Sequence, residues 1–166
     1  MSGPHQWLIE RIRGEAADLD QVVERTRRGW SLAHKASVEQ YAYVDSVALN
    51  LHSFYSGLEK MFELISRHVD QTLPKGETWH RDLLQQMAQD VPSRRPAVVS
   101  QESVPTLDEF RRFRHLVRNV YTVNLAPEKM ERLMDALPRL WPRLRAELLA
   151  FADFLEALDA APPSTK

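Results

Sequence analysis

The chain has 166 residues, which is enough for one domain that buries a substantial core. Its hydrophobic fraction of 43% and charged fraction of 27% are those of a folded protein, not of a disordered one. The formal net charge is -1 and the pI about 6.6, so no overall positive charge draws nucleic acid to the chain. Any contact with RNA therefore has to come from a local group of basic residues.

Helical periodicity runs through the first half of the chain. Apolar residues recur in steps of three and four over residues 8–30, which predicts an amphipathic helix. A second and stronger apolar stripe covers residues 44–65. Ser37, with Gln40 three residues later, predicts a capping box at the start of this second helix. We expect it to end near Pro74, where proline and glycine stop helical structure.

A shorter helix and a long loop follow in the middle of the chain. Apolar spacing predicts the third helix over residues 78–89, with Trp79 in the core. Residues 91–105 contain several prolines, which remove backbone donors, so we predict an irregular loop there. A loop of this length inside a compact domain is often functional. In the second helix, we expect Tyr55 to pack with its hydroxyl outward.

Two further helices are predicted in the last third of the chain. Thr106 and Glu109 form a second capping-box pattern, which predicts the start of the fourth helix. Pro127 is suited to a first helical position and predicts the start of the last helical region. Pro138 and Pro142 interrupt the apolar pattern of that region, so we expect either a kink or two helices end to end.

The predicted elements define the fold class and the domain organisation. We find no strand of consequence and no internal repeat, and short connections favour antiparallel neighbours. The sequence therefore predicts an all-α protein, an antiparallel bundle of about five helices. Residues 1–161 are expected to form a single helical domain, and residues 162–166 a frayed tail. Long apolar stripes favour a symmetric homodimer.

The residue types that are missing exclude several classes of function. The chain has no cysteine, which excludes disulfides, thiolate metal sites and a cysteine nucleophile. Its six histidines form no i,i+4 pair, and its five glycines form no phosphate loop, so we predict no metal, no cofactor and no NTPase activity. No signal-peptide pattern or apolar run of roughly 20 residues is found, so we predict a cytoplasmic protein without membrane contact.

One basic segment stands out against this background. From Arg94 to Arg118 the chain has six arginines and three acidic residues. On a helix, Arg111, His115 and Arg118 share one face through steps of three and four, and Arg114 lies beside them. Guanidinium groups bind phosphate oxygens, and an imidazole moves protons near neutral pH. A metal-independent ribonuclease needs these two kinds of group. A solvated helix face has the same composition, so residue types alone do not decide between the two.

Residues 114–121 resemble the motif of the HepT toxins in the HEPN superfamily. That motif reads Arg-Asn, three residues, His, any residue, Tyr. Its arginine falls on Arg114 and its tyrosine on Tyr121. The chain departs from the pattern at two positions, since His115 stands where asparagine is usual and Asn119 where the catalytic histidine is expected. Residues 55–60 and 79–84 also resemble a HepT-like subgroup, so the resemblance spans most of the chain.

The resemblance implies a HEPN-like fold and an RNA-cleaving toxin that works as a homodimer. It implies a metal-independent endoribonuclease of a type VII-like toxin–antitoxin pair. The cognate antitoxin would be an MntA-like nucleotidyltransferase, which neutralises the toxin by adding AMP to the motif tyrosine, Tyr121. A phosphate placed there would pair with nearby arginines and block substrate. The residues expected to act are Arg114, His115, Arg118 and Asn119 in catalysis, with Arg111 and Arg112 in RNA binding.

Asn119 leaves two hypotheses open for the site. Asparagine can hydrogen-bond a phosphate but cannot act as a general base. Either His115 has taken over proton transfer, or the chain binds RNA or a nucleotide without efficient cleavage. An alternative from a different class is a helical adaptor whose arginine face docks an acidic partner.

Overall fold

The computed structural model describes residues 2–119 and 126–163 of the chain. Within these ranges there are five α-helices and an isolated bridge between Val91 and Arg95, but no strand. The prediction of an all-α bundle of about five helices is therefore confirmed. The helices are α1 (Gln6–Lys35), α2 (Gln40–Ile65), α3 (Trp79–Met87), α4 (Val104–Asn119) and α5 (Glu128–Ala160). The domain boundary at residue 161 stays a prediction.

Helix α2 is the centre of the bundle, because it packs against α1, α3 and α4. A helix with neighbours on several sides needs a wide apolar face, and burial of that face supplies most of its stability. Glu59 is the one ionisable carboxylate among the buried positions of α2. These buried positions are Val44, Val47, Ala48, Leu51, Phe54, Tyr55, Leu58, Glu59, Met61, Phe62 and Ile65.

The predicted capping box at the start of α2 is wrong. The helix begins at Gln40 after Glu39, whose φ of 61° is left-handed, and no side chain caps the first turn. The Gln40 side-chain amide instead donates a hydrogen bond to the backbone oxygen of Ala33 in α1, over 2.8 Å. The turn between the two helices is thus closed by a tertiary contact and not by the local cap that Ser37 offers.

Helix α2 also ends earlier than expected, and it changes its hydrogen-bonding pattern there. After Ile65 the chain makes one π-helical turn, Ser66–Asp70, which Gln71 ends with a left-handed φ of 57°. The turn buries both Ser66 and Asp70. The π-helix is rare and occurs mostly as single turns of this kind. Here it accompanies the placement of the Asp70 carboxylate against the loop that follows α3.

The long loop after α3 is held in place by a buried ion pair. Arg95 Nε donates to Asp70 Oδ1 over 2.5 Å, and Arg95 Nη2 donates to Asp70 Oδ2 over 2.7 Å. Val98 and Val99 are buried in the core beside it. A short 3-10 turn, Gln101–Ser103, then leads into α4. We call Asp70 and Arg95 the loop staple.

The start of α4 and the continuity of α5 differ from what the prolines and the capping pattern predicted. Helix α4 begins at Val104, before the predicted capping box at Thr106, because Pro105 occupies its first turn. Helix α5 begins beside Pro127, as predicted, and continues unbroken to Ala160. The alternative of two helices end to end is therefore wrong. A buried apolar face along the whole of α5 offsets the backbone hydrogen bonds that its prolines cannot make.

None of the helices described is both long enough and apolar enough to span a bilayer.

Candidate functional site

Three helices bring charged side chains together beneath the surface of the basic motif. Arg114 of α4 is buried, and its Nη1 donates to Glu59 Oε1 of α2 over 2.8 Å. Its Nη2 lies 3.0 Å from Nδ1 of His80 in α3. The same His80 nitrogen lies 2.8 Å from Glu59 Oε2. We call Glu59, His80 and Arg114 the buried triad.

The triad does not satisfy all of its members at one time. Arginine can only donate hydrogen bonds, and a histidine nitrogen either donates or accepts. If His80 Nδ1 carries a proton, it bonds Glu59 and is not an acceptor for Arg114. If Nδ1 is bare, it accepts from Arg114 and presents a lone pair to Glu59. The position of one proton therefore decides which of the two His80 contacts is a bond.

The guanidinium of Arg114 lies over the ring of Tyr55. The guanidinium carbon of Arg114 lies 5.6 Å from the centre of the Tyr55 ring, within the range of a cation–π contact. Tyr55 is fully buried, so its predicted outward hydroxyl is wrong. That hydroxyl has no hydrogen-bond partner among the residues described. Burial, reinforced by the neighbouring Glu59, raises the pKa of Tyr55 well above its ordinary value of 10.0, so the phenol stays protonated.

The Trp79 ring stacks on the ring of His80. The two rings are stacked with centres 3.6 Å apart and planes 29° from parallel. Trp79 is only partly buried, although it does pack against the core as predicted. The stack fixes the plane of the His80 ring, and with it the direction of the nitrogen that faces Glu59 and Arg114.

The two arginines predicted to bind RNA share one carboxylate. Arg111 is half-buried, and its Nε lies 2.7 Å from Asp108 Oδ1. Arg112 is exposed, and its Nε lies 3.2 Å from Asp108 Oδ2. Exposed ion pairs of this kind contribute little to stability, so Arg112 can exchange its partner for a phosphate at small cost.

The remaining predicted site residues are divided between the two sides of α4. His115 and Arg118 are exposed on the outer surface, whereas Arg114 faces inward to the triad. Asn119 is the last residue of α4, and its side chain lies outside the part of the chain that is described. Tyr121 also lies outside the described residues. The structure thus separates Arg114 from the exposed cations with which it was grouped.

A second histidine near these arginines is His52, which belongs to α2. His52 is half-buried and precedes Tyr55 by one helical turn. Burial, followed by the positive charges of Arg114 and Arg118, lowers the pKa of His52 from its ordinary value of 6.5. The imidazole is therefore neutral in a larger share of molecules at neutral pH than an ordinary histidine is.

Only some residues of this site could have been predicted from the sequence. Glu59 lies inside the apolar stripe of α2, three residues before Phe62, and a charged residue at such a core position needs a buried partner. His80 lies in the stretch 79–84 that resembles a HepT-like subgroup, but no pattern marked either His80 or His52 as a neighbour of Arg114. Over residues 2–119 and 126–163, no group of three or more histidine, aspartate or glutamate side chains is placed to hold a metal ion.

Comparison with known proteins finds one match. A family model described as HepT-like protein matches residues 46–155, more than half of the chain. The match begins within α2 and ends within α5, so it contains the buried triad and the whole basic segment of α4. No curated protein matched the chain, and no solved structure did.

Proposed function

The chain belongs to the HepT-like protein family, and from this membership we propose that it is a HepT-like toxin that cleaves RNA in the cytoplasm without a metal ion. It would be the endoribonuclease of a type VII-like toxin–antitoxin pair. The observation that carries the proposal is the basic outer surface of α4, which lies inside the matched segment. Its members are Arg111, Arg112, His115 and Arg118.

The outer surface of α4 has the groups that RNA cleavage requires. Arg112 and Arg118 are exposed and can donate charge-assisted hydrogen bonds to phosphate oxygens. The same cations stabilise the negative charge that builds on phosphorus in the transition state. His115, exposed between them along the helix, can transfer a proton. Arg114 lies beneath, where the ion pair with Glu59 fixes its position.

The proposed partner is an MntA-like nucleotidyltransferase antitoxin. It would join the α-phosphate of ATP to the Tyr121 hydroxyl and release pyrophosphate. The support for this step is the place of Tyr121 in the sequence, three residues after Arg118. A phosphodiester attached there would pair with the exposed arginine and occupy the surface that substrate needs.

The proposed homodimer has a candidate surface on the outer face of α2. Tyr41 and Leu49 of α2 are 70% and 63% exposed, and Val38, just before the helix, is 75% exposed. Large apolar side chains exposed in one region are candidates for an interface. His52 follows Leu49 by one turn, so the surface adjoins the site. Light scattering should report a dimer for the wild type and a monomer for Leu49→Lys. The control Gln21→Lys, which places a charge at an exposed position of α1, should remain a dimer. A Leu49→Lys dimer would rule out this surface.

RNA cleavage in the presence of EDTA tests the function itself. We expect the wild-type protein to cut a mixed RNA pool that includes tRNA, and Arg118→Gln to cut at least about tenfold more slowly. Arg28→Gln, which removes an exposed arginine from α1, is the matched control and should keep the wild-type rate. An inert wild type, or an Arg118→Gln protein as fast as the wild type, would contradict the proposal.

Binding of RNA without cleavage is the second candidate function. It is favoured by the burial of Arg114 against Glu59, which removes the motif arginine from direct contact with substrate. In that case the wild type would bind RNA in EDTA but leave it uncut. Its affinity for RNA would fall as the salt concentration rises, because the contacts are to phosphates. An adaptor that docks an acidic protein partner would neither retain nor cut RNA.

A further inference from the structure

We propose that His52 is the proton acceptor of the RNA-cleaving site, the role for which the motif itself offers only Asn119. This inference rests on the ribonuclease function proposed above and deepens it. It assigns the reaction to two helices, α2 and α4, instead of α4 alone.

The seam between α2 and α4 places His52 beside the motif. His52, Tyr55 and Glu59 are separated by steps of three and four, so they share one face of α2. Tyr55 and Glu59 both contact Arg114 of α4. His52 lies one turn further along this seam, where the charges of both Arg114 and Arg118 reach it. The imidazole is therefore placed at the end of α4 that carries the motif.

The ring of His52 is not engaged by neighbouring side chains as the rings of two other partly buried histidines, His80 and His5, are. His80 is locked between Trp79 and Glu59, and His5 Nδ1 is bonded to Asp159 over 2.6 Å. The ring of His52 is half-buried, and no hydrogen bond from the described residues occupies it. A half-buried imidazole with a bare nitrogen can reach a substrate hydroxyl and still be held in one position by its surroundings.

The electrostatic surroundings favour the same role. A proton acceptor has to be neutral before it reacts, and burial together with Arg114 and Arg118 lowers the pKa of His52. The charges of these two arginines, together with burial, thus favour the neutral form of His52. The charged groups that lower the pKa of His52 lie on α4, whereas the position of the ring is set by α2.

The reaction assigned to these residues balances without water or metal. A His52 ring nitrogen takes the proton of a ribose 2′-hydroxyl, and the 2′-oxygen forms a bond to the adjacent phosphorus. The bond from phosphorus to the 5′-oxygen breaks, and that oxygen leaves with a proton from the imidazolium of His115. The products are a 2′,3′-cyclic phosphate and a 5′-hydroxyl end. Arg118 stabilises the charge on phosphorus in between.

The decisive experiment is the pH dependence of cleavage by the full-length protein in EDTA, from about pH 5 to about pH 8. In the wild type, the rate should fall at low pH as the proton acceptor becomes protonated, and we call this fall the acidic limb of the profile. We expect His52→Asn to be at least about a hundredfold slower and to lack the acidic limb. His34→Asn, which replaces an exposed histidine of α1, should match the wild type. Arg118→Gln should keep the acidic limb but move it to higher pH, because one cause of the lowered His52 pKa is gone.

A His52→Asn protein within about twofold of the wild-type rate, or with an unchanged acidic limb, overturns the inference and leaves the ribonuclease function standing. A wild type that cuts no RNA overturns both. If His52→Asn does not fold, NMR titration of the wild-type histidines decides. A His52 pKa that coincides with the midpoint of the acidic limb of the cleavage profile would support the assignment, and one that differs from it by about one pH unit or more would overturn it.

Discussion

Arginine is buried against a carboxylate at two places in the molecule, and the two arrangements differ in how completely the guanidinium is bonded. In the loop staple, Arg95 makes two bonds to Asp70 and three to backbone oxygens, of Gln86, Gln89 and Pro96. In the buried triad, Arg114 has one bond to Glu59 and one contact with His80. Its Nε has no partner among the described residues.

On this difference we assign a structural role to Arg95 and propose a functional one for Arg114. An arginine has five donors, and Arg95 uses all of them within the fold, so nothing remains for a ligand. Arg114 is held in position by Glu59 but only partly satisfied, and an unsatisfied buried donor of this kind needs an explanation that Arg95 does not. The comparison also shows that the six arginines of the basic segment are not one surface, since Arg95 and Arg114 both face inward.

Loss of the staple carboxylate should give the largest effect on stability. In Asp70→Ala, the Arg95 guanidinium would remain buried without its counter-charge, because its side chain is 0% exposed. We expect the free energy of unfolding to fall by about 3–5 kcal/mol, as measured by urea denaturation. Arg13→Ala, which breaks an exposed pair between α1 and α5, should cause no resolvable change. Equal effects of the two substitutions would refute the structural role of the staple.

Glu59→Gln should have a smaller effect on stability and a larger one on cleavage. The glutamine carbonyl can still accept a bond from Arg114, so we expect a loss of only about 1–3 kcal/mol in the free energy of unfolding. The charge that fixes Arg114 is gone, however, and the rate of RNA cleavage should fall even at temperatures where the protein remains folded. Wild-type cleavage by folded Glu59→Gln would show that the triad only supports the fold.

Tyr55→Phe should give the smallest change, and in the opposite direction. The substitution removes a buried hydroxyl that has no partner among the described residues, so stability at neutral pH should stay the same or rise by about 1 kcal/mol. Because folding raises the pKa of Tyr55, ionisation of the phenol favours the unfolded state. The free energy of unfolding of the wild type is therefore unaffected by this group below the ordinary pKa of 10.0 and falls as the pH rises above it. The variant should therefore resist alkaline unfolding better than the wild type. A clear loss of stability at neutral pH would indicate an unseen partner for the hydroxyl.

Local patterns in the sequence predicted the helices but not how they meet. Periodicity located all five helices, since each buries an apolar face. The local signals failed where tertiary contacts replaced them: Gln40 bonds α1 in place of a capping box, and the π-helical turn directs Asp70 to Arg95. No local signal reports contacts between residues so far apart in the chain.

The same limit applies to the site. The spacing of the motif placed Arg114 beside Arg118 on one helix, and this is correct. Which of the two faces inward depends on how α4 is rotated against α2 and α3, and that rotation follows from the burial of Phe110 and Phe113. Glu59 was the one visible clue, as a carboxylate in an apolar stripe.

RNA cleavage by Arg114→Lys and Arg95→Lys tests the central claim most directly. Lysine keeps the positive charge in both variants but cannot reproduce the geometry of a guanidinium. Rates in EDTA would be divided by the folded fraction, measured by circular dichroism at the same temperature. We expect Arg114→Lys to lose at least about tenfold in rate per folded molecule and Arg95→Lys to keep the wild-type value. If the activity of both variants only follows their folded fraction, Arg114 has the same structural role as Arg95, and the functional assignment of the triad is wrong.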